Sequence, residues 1–227
     1  MNEVRIIEVK QSVFAANEHR ADELRNELRK EKTFLLNVMS SPGSGKTTTL
    51  TGVINRLKEE YRIGVMEADI DSDVDARTVS SLTGVDAIQL HTGGMCHLDA
   101  DMTRQGIEAL GEKHYDLIIL ENVGNLVCPA EFDTGSAANM CILSVPEGDD
   151  KPLKYPLMFQ VAHFVAINKT DVLPYFDFDM KRCKENIRFR NPKADVFEIC
   201  AKDGTGIDKL ADHIRKLMKE WNEQEVE

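Results

Sequence analysis

The chain has 227 residues, 42% of them hydrophobic, and a formal net charge of −11. That length suits one α/β domain with an appendage and leaves two full domains cramped. The acidic balance, with no basic run to break it, excludes nonspecific attraction to nucleic acid or to anionic membrane surfaces. No apolar run approaches the roughly 20 residues of a membrane helix, and the amino terminus lacks a signal-peptide pattern, so the expected location is cytoplasmic. Five irregularly spaced cysteines then suit thiols or metal ligands better than a disulfide framework.

Residues 1–33 read as an extension packed on the flank of a domain spanning 34–227. Val4 to Val9 alternates briefly, and Ala21, Leu24 and Leu28 are then spaced for one helical face. Residues 34–39 read as a buried strand, and Thr48 to Tyr61 carries Leu50, Val53, Ile54 and Leu57 at helical spacing. Between them lies Ser40-Ser41-Pro42-Gly43-Ser44-Gly45-Lys46-Thr47-Thr48, which reads as a phosphate-binding loop. Its glycines let successive backbone N–H groups turn toward a polyphosphate at the positive end of the following helix. Lys46 is placed to neutralise the β- and γ-phosphates, and the Thr47 hydroxyl to ligate Mg²⁺. Ser40 stands where the usual pattern has its first glycine.

Ile63 to Ala68 reads as a second strand, followed by Asp69, Asp71, Asp73 and Asp75. Acids just beyond a strand's carboxyl end face the ligand crevice of an open α/β sheet, so Asp69 is assigned to the magnesium shell or a switch. The later aspartates suit the cap of a helix beginning near Val74. Val85 to Leu90 reads as a third strand, leading to a glycine-bearing loop with Cys96 and His97 adjacent. Sulfur and imidazole suit zinc, copper or nickel, although adjacent Cys and His residues also occur with no metal role. Tyr115 to Glu121 reads as a strand ending in an acid, with Gly124 three residues on. Glu121 can hold water on magnesium, and the Gly124 amide can sense a γ-phosphate. Cys128 follows on the same sheet rim.

Asn139 to Val145 is a further strand, and Phe164 to Asp171 ends in Asn168-Lys169-Thr170-Asp171. A carboxylate such as Asp171 accepts both the N1–H and the N2 amine of guanine, which adenine cannot offer. Asn168 is assigned to the base's other edge and the stem of Lys169 to its face. In the last strand, Val196 to Lys202, the Ala201-Lys202 turn fits the segment that offers backbone N–H to guanine O6 in GTPases. Cys141, Cys183 and Cys200 read as buried packing. Ile207, Leu210, Ile214, Leu217 and Trp221 predict a closing amphipathic helix.

Three stretches, Ser-Ser-Pro-Gly-Ser-Gly-Lys-Thr-Thr at 40–48, Cys-His-Leu-Asp at 96–99 and Glu-Asn-Val-Gly-Asn-Leu-Val-Cys-Pro at 121–129, resemble the HypB family of hydrogenase nickel-incorporation GTPases, of the SIMIBI class. The resemblance runs over nearly the whole chain, and Ser40 is that family's own usage. It implies an α/β P-loop fold, an open, mostly parallel sheet with helices on both faces, that binds and slowly hydrolyses GTP to GDP with Mg²⁺. It also implies a Ni²⁺ or Zn²⁺ site built between subunits from Cys96, His97 and Cys128, and a homodimer promoted by GTP and metal. The implied partners are hydrogenase maturation factors and the hydrogenase large subunit, with neither nucleic acid nor membrane. Lys154 resembles a lysine that reaches nucleotide across the dimer, and reads equally as a solvated surface residue. The family's frequent Cys-x-x-Cys-Gly-Cys stretch and histidine-rich tract are not in this sequence. The residues alone leave two mechanisms open: a GTP-hydrolysing enzyme whose cycle drives metal transfer, or a nucleotide-gated metal scaffold with incidental hydrolysis. A urease-type accessory GTPase would carry Cys-Pro-His in one loop, whereas here Cys-His and Cys-Pro lie on separate loops.

Overall fold

The first strand of the nucleotide fold, β1 (Phe34–Ser40), is buried along its whole length, so both its faces are covered. The structure is a computed structural model that describes residues 6–69, 74–111 and 113–224. Around β1 run β2 (Ile63–Asp69), β3 (Asp86–His91), β4 (Leu117–Glu121), β5 (Ala138–Ser144), β6 (Phe164–Asn168) and β7 (Asp195–Glu198), in the order β3-β2-β4-β1-β5-β6-β7. Every pairing between these strands is parallel, and Cys200 and Thr205 add an isolated antiparallel bridge. The chain leaves β1 toward β2 on one side and later enters β5 on the other. The carboxyl end of β1 is therefore the point where strand order reverses, the place an open α/β sheet offers to a ligand.

The helix after the loop, α2 (Lys46–Leu57), starts two residues ahead of Thr48 and stops short of Tyr61. Its start is fixed by Gly45, whose left-handed backbone closes the loop, and its end by a turn in which the Glu60 and Tyr61 amides both return to the Leu57 carbonyl. Leu50, Val53, Ile54 and Leu57 are buried against α3 (Val74–Thr83) and α9 (Ile207–Glu223).

Helix α1 (Ile6–Lys30) takes in most of the Val4 to Val9 alternation, and Val4 and Arg5 lie outside the described residues. A two-residue period over six positions is too short to resist a 25-residue helix. Ala21, Leu24 and Leu28 are buried, and Leu24 and Leu28 join the cluster that contains β1 and α9. Helix α1 packs along α4 (Ala100–Leu110), where the buried Asn17 Oδ1 accepts the Ala100 N–H at 3.0 Å. A second cluster, containing Cys141, Met158, Phe159, Cys183 and Ile187, is closed by α7 (Pro156–Val161) and α8 (Met180–Arg190). Burial raises the Cys141 thiol well above its ordinary range and pushes that of Cys183 up to about 12, which fits their packing role.

Candidate nucleotide and metal site

The phosphate-binding loop bends through two left-handed glycines, Gly43 at φ 74° and Gly45 at φ 93°. Ser40 ends β1 in the position where a glycine was expected and has no positive φ to adopt. It is fully buried, with its hydroxyl donating to the Ser41 carbonyl at 2.8 Å and accepting from Ser44 Oγ at 2.7 Å. The cap of α2 is Gly45, with no side chain to occupy the helix's first N–H groups, and Lys46, Thr47 and Thr48 form its first turn. An anion is therefore favoured there.

Two loops are fastened to this one. The Asn168 amide donates to the Ser44 carbonyl at 2.9 Å, and its Oδ1 accepts the backbone N–H of Lys169 at 2.8 Å and of Ala201 at 3.0 Å. Asn168, assigned to the base edge, here joins three loops through its amide. Lys169 sits at φ 62°, rare for a residue with a side chain, and its Nζ donates to the Gly43 carbonyl at 2.6 Å. Its stem thus arches over Gly45. Asp171 is the second residue of the helical turn after β6 and is exposed, as is Lys202. Cys200 lies between these loops. Burial raises its thiol, with the Asp203 and Asp171 carboxylates beside it.

On the other side, Glu121 Oε1 lies 3.4 Å from the Thr47 hydroxyl that donates to it and 3.9 Å from Lys46 Nζ. Lys46, Asp69, Glu121 and Gly124 line a cavity of ≈ 30 Å³ together with Glu67, Ala68, Gln89 and Asn122. Gly124 lies against the loop itself, since a Cβ there would come 3.1 Å from Pro42 Cγ. The oxygen donors Thr47, Asp69 and Glu121, beside a phosphate loop, fit the preference of magnesium for oxygen ligands. Asp71 and Asp73 lie outside the described residues, and Asp75 is on the first turn of α3. Glu67 carried no expectation from the sequence. A carboxylate inside the otherwise apolar run Ile63 to Ala68 was the signal available.

The soft ligands come together in part. Cys96 Sγ and Cys128 Sγ lie 2.8 Å apart, both as free thiols, although they follow different strands. His97 Nδ1 is 3.9 Å from Cys96 Sγ, and its ring is buried and stacked on Phe132 at 3.7 Å. Among the described residues, no three His, Cys, Asp or Glu side chains form a ready metal cage. The expected trio is thus a sulfur pair with a nearby imidazole. Burial pushes the His97 imidazole below its ordinary value against the pull of Asp99 and Glu131, which keeps its nitrogen in the neutral form a metal needs. The neighbouring Cys96 thiol, then burial, hold the Cys128 thiol above its usual range. Cys128 opens α5 (Cys128–Glu131), and Asp99 caps α4 by accepting the Met102 N–H at 2.9 Å.

A cavity of ≈ 680 Å³ lies where β1 and β5 begin, lined by Arg29, Phe34, His163 and Trp221 among others. Its wall also takes in Pro129 to Asp133, the segment after Cys128, including Phe132, on which His97 stacks.

Comparison with known proteins gives the family. The family model "CobW/HypB/UreG, nucleotide-binding domain" matches residues 34–198. The chain belongs to this family. It is 44% identical over 207 residues to the hydrogenase maturation factor HypB of Azotobacter chroococcum mcd 1, covering 91% of this chain and 68% of that protein. It is 37% identical over 218 residues to the hydrogenase/urease maturation factor HypB of Helicobacter pylori strain J99, covering 94% and 89%. The crystal structure of HypB from Helicobacter pylori in complex with nickel superposes with a TM-score of 0.84 at 38% identity, covering 93% of this chain and 99% of that one. Among the described residues, no helix is long and apolar enough to cross a membrane.

Proposed function

We propose that the chain is a GTP-hydrolysing metallochaperone that assists nickel insertion into [NiFe] hydrogenase. The observation that carries this reading is the meeting of Cys96 and Cys128 on the rim that also holds the phosphate loop, Glu121 and Gly124. The printed names of the relatives, hydrogenase maturation factors and a nickel complex among them, support it. A role toward urease is the second reading, favoured by the name of the Helicobacter pylori relative.

In this reading the backbone amides around Gly43 and Gly45 hold the β-phosphate, and Lys46 spans the β- and γ-phosphates. Thr47, with Asp69 and Glu121 near it, would hold magnesium, whose charge would neutralise the phosphate oxygens. Asp171 selects guanine. A γ-phosphate attracts the Gly124 amide, and because Gly124 lies only four residues before Cys128, its movement reaches one metal-binding sulfur directly. Tetrahedral zinc with ligands at about 2.3 Å would need its two sulfurs nearly 4 Å apart, so Cys96 and Cys128 would have to separate to hold it. Cys96, His97 and Cys128 leave a fourth position for water, the second subunit or the acceptor of the nickel. Zinc favours a tetrahedral site and nickel a planar one, which lets the two ions hold the loop differently.

The experiment is metal affinity in the apo, GDP and GTP-analogue states, with Cys96→Ala and Cys128→Ala beside wild type. Metal binding that depends on both thiols and on nucleotide supports the reading. Undiminished binding in both variants removes the metal site, and indifference to nucleotide leaves only a scaffold. Guanine selection is tested separately: Asp171→Asn replaces an acceptor by a partial donor and should move preference toward xanthine nucleotide. Hydrolysis is expected to be slow without a partner. Sedimentation with GTP analogue tests the homodimer, in which Lys154, on α6 (Lys151–Lys154) and paired with Asp150, is the residue to replace.

A further inference from the structure

Glu67 belongs to none of the motifs, yet it stands in register beside Glu121, with Gln89 in register on its other side. Register partners on neighbouring parallel strands project to the same face, about 4.8 Å apart. The carboxyl rim of β3, β2 and β4 therefore carries a polar row, Gln89-Glu67-Glu121, that points toward Lys46 and ends at Val38 on β1. Glu67 and Glu121 are 2% and 3% exposed. Taking a carboxylate out of water costs several kcal/mol unless a strong partner compensates.

The cavity that these side chains share, ≈ 30 Å³, has room for about one water. Its lining is rich in acceptors. Gln89 Nε2 donates to the Glu67 carbonyl at 2.8 Å, which leaves the buried Gln89 Oε1 as an acceptor with no hydrogen-bond partner among the described residues. A water bound to a divalent cation offers its lone pair to the metal and both protons outward. Acceptors on several sides are what such a water needs.

We infer that Glu67 is a positioning residue for magnesium, holding with Glu121 a water ligand of the nucleotide-bound ion. The inference rests on the guanine-nucleotide reading above. Mg²⁺ keeps several of its waters when it binds a P-loop, and Thr47 supplies one oxygen from α2. Glu121, which accepts the Thr47 hydroxyl, would hold that water from β4, and Glu67 from the next strand, β2.

The test is Mg²⁺ titration of wild type and Glu67→Gln in the presence of a fluorescent GDP derivative, with a parallel measurement of GDP affinity in EDTA. The magnesium concentration at half-saturation should rise about 10- to 100-fold in the variant, the usual effect of losing an outer-shell partner. GDP affinity in EDTA should be unchanged. Equal half-saturation in both proteins overturns the inference, as does an equal loss of GDP affinity with and without Mg²⁺, which marks a structural role only. If Glu67→Gln does not fold, Glu67→Asp decides by the same two readings, since it keeps the charge and withdraws the carboxylate by one methylene. A wild-type protein with no magnesium-dependent GDP binding would instead remove the reading of the nucleotide site itself.

Discussion

The side-chain amide of Asn168 donates to the Ser44 carbonyl at 2.9 Å, while its oxygen accepts the Ala201 N–H at 3.0 Å. One buried residue thus binds the phosphate loop to both loops assigned to the base. Removing it leaves the buried Ser44 carbonyl without its partner, at about 1–3 kcal/mol, and the half-buried Ala201 amide at less. Asn168→Ala should lower the thermal midpoint and weaken GDP binding together. Asn168→Asp keeps the acceptor but not the donor, and should lose affinity while retaining more of the fold. Calorimetric melting and nucleotide titration of both variants check this.

The same contact makes the two loop glycines unequal. A Cβ on Gly45 would lie 2.5 Å from Asn168 Nδ2, whereas one on Gly43 meets nothing within 4 Å. Both positions have positive φ, which costs a residue with a side chain about 1–2 kcal/mol. Gly43→Ala should therefore weaken nucleotide binding by about tenfold through strain alone. Gly45→Ala adds a clash with a committed amide and should lose much more. Equal affinities for the two variants would contradict the geometry.

Acid sensitivity should trace to buried imidazoles. His213 sits between the rings of Phe164 and Phe197, each at 4.9 Å, and burial lowers its pKa despite the pull of Asp195. The unfolded chain, with a histidine pKa of about 6.5, then binds a proton that the folded chain refuses. Its contribution is fully present above pH about 6.5 and is lost as pH falls below that value toward the folded pKa. His97 and His163 shift in the same direction, also chiefly by burial. The thermal midpoint should decline between pH 7.5 and 5.5, and His213→Phe should flatten that decline. A parallel decline in the variant would exclude His213 as a contributor.

Most of the sheet was legible because its strands are short apolar runs ending in chemistry: Phe34 before the glycine loop, Leu117 before Glu121, Phe164 before Asn168. The periodic faces of α1, α2 and α9 were legible for the same reason, since Leu24, Ile54 and Leu210 recur at helical spacing and are buried. What the sequence hid were side chains that act across strands. The place of Glu67 depends on its register with Glu121, and the substitution at Ser40 is explained by a bond to Ser44 that only the folded loop makes. His97 was read as a ligand from its neighbour Cys96. Its stacking on Phe132, 35 residues later, has no mark in local pattern.

Asn17 supplies the last prediction, because it touches no ligand and yet holds both metal loops. Its Oδ1 accepts the Ala100 N–H at 3.0 Å, at the start of the helix that follows Cys96 and His97. Its Nδ2 donates to the Asp133 carbonyl at 2.9 Å, on the segment that follows Cys128. Arg25 reinforces the second link, with Nε on the Ser136 carbonyl at 3.0 Å and Nη2 on Asp133 Oδ1 at 2.7 Å. Helix α1 therefore ties together the two segments that follow the sulfurs. Asn17→Ala removes both bonds, at about 0.5–1.5 kcal/mol net for each and more where a partner stays buried and unpaired. If the loops are held apart from their working distance, metal affinity should fall by about tenfold or more, since 1.4 kcal/mol is tenfold in affinity. Nucleotide affinity should hold, because Asn17 reaches none of the loops around Lys46. Equilibrium dialysis with nickel and with zinc, beside GDP titration, separates this from general loosening. Parallel losses of metal and nucleotide would mean that α1 stabilises the whole domain, and undiminished metal binding would mean that the two loops hold their spacing without it.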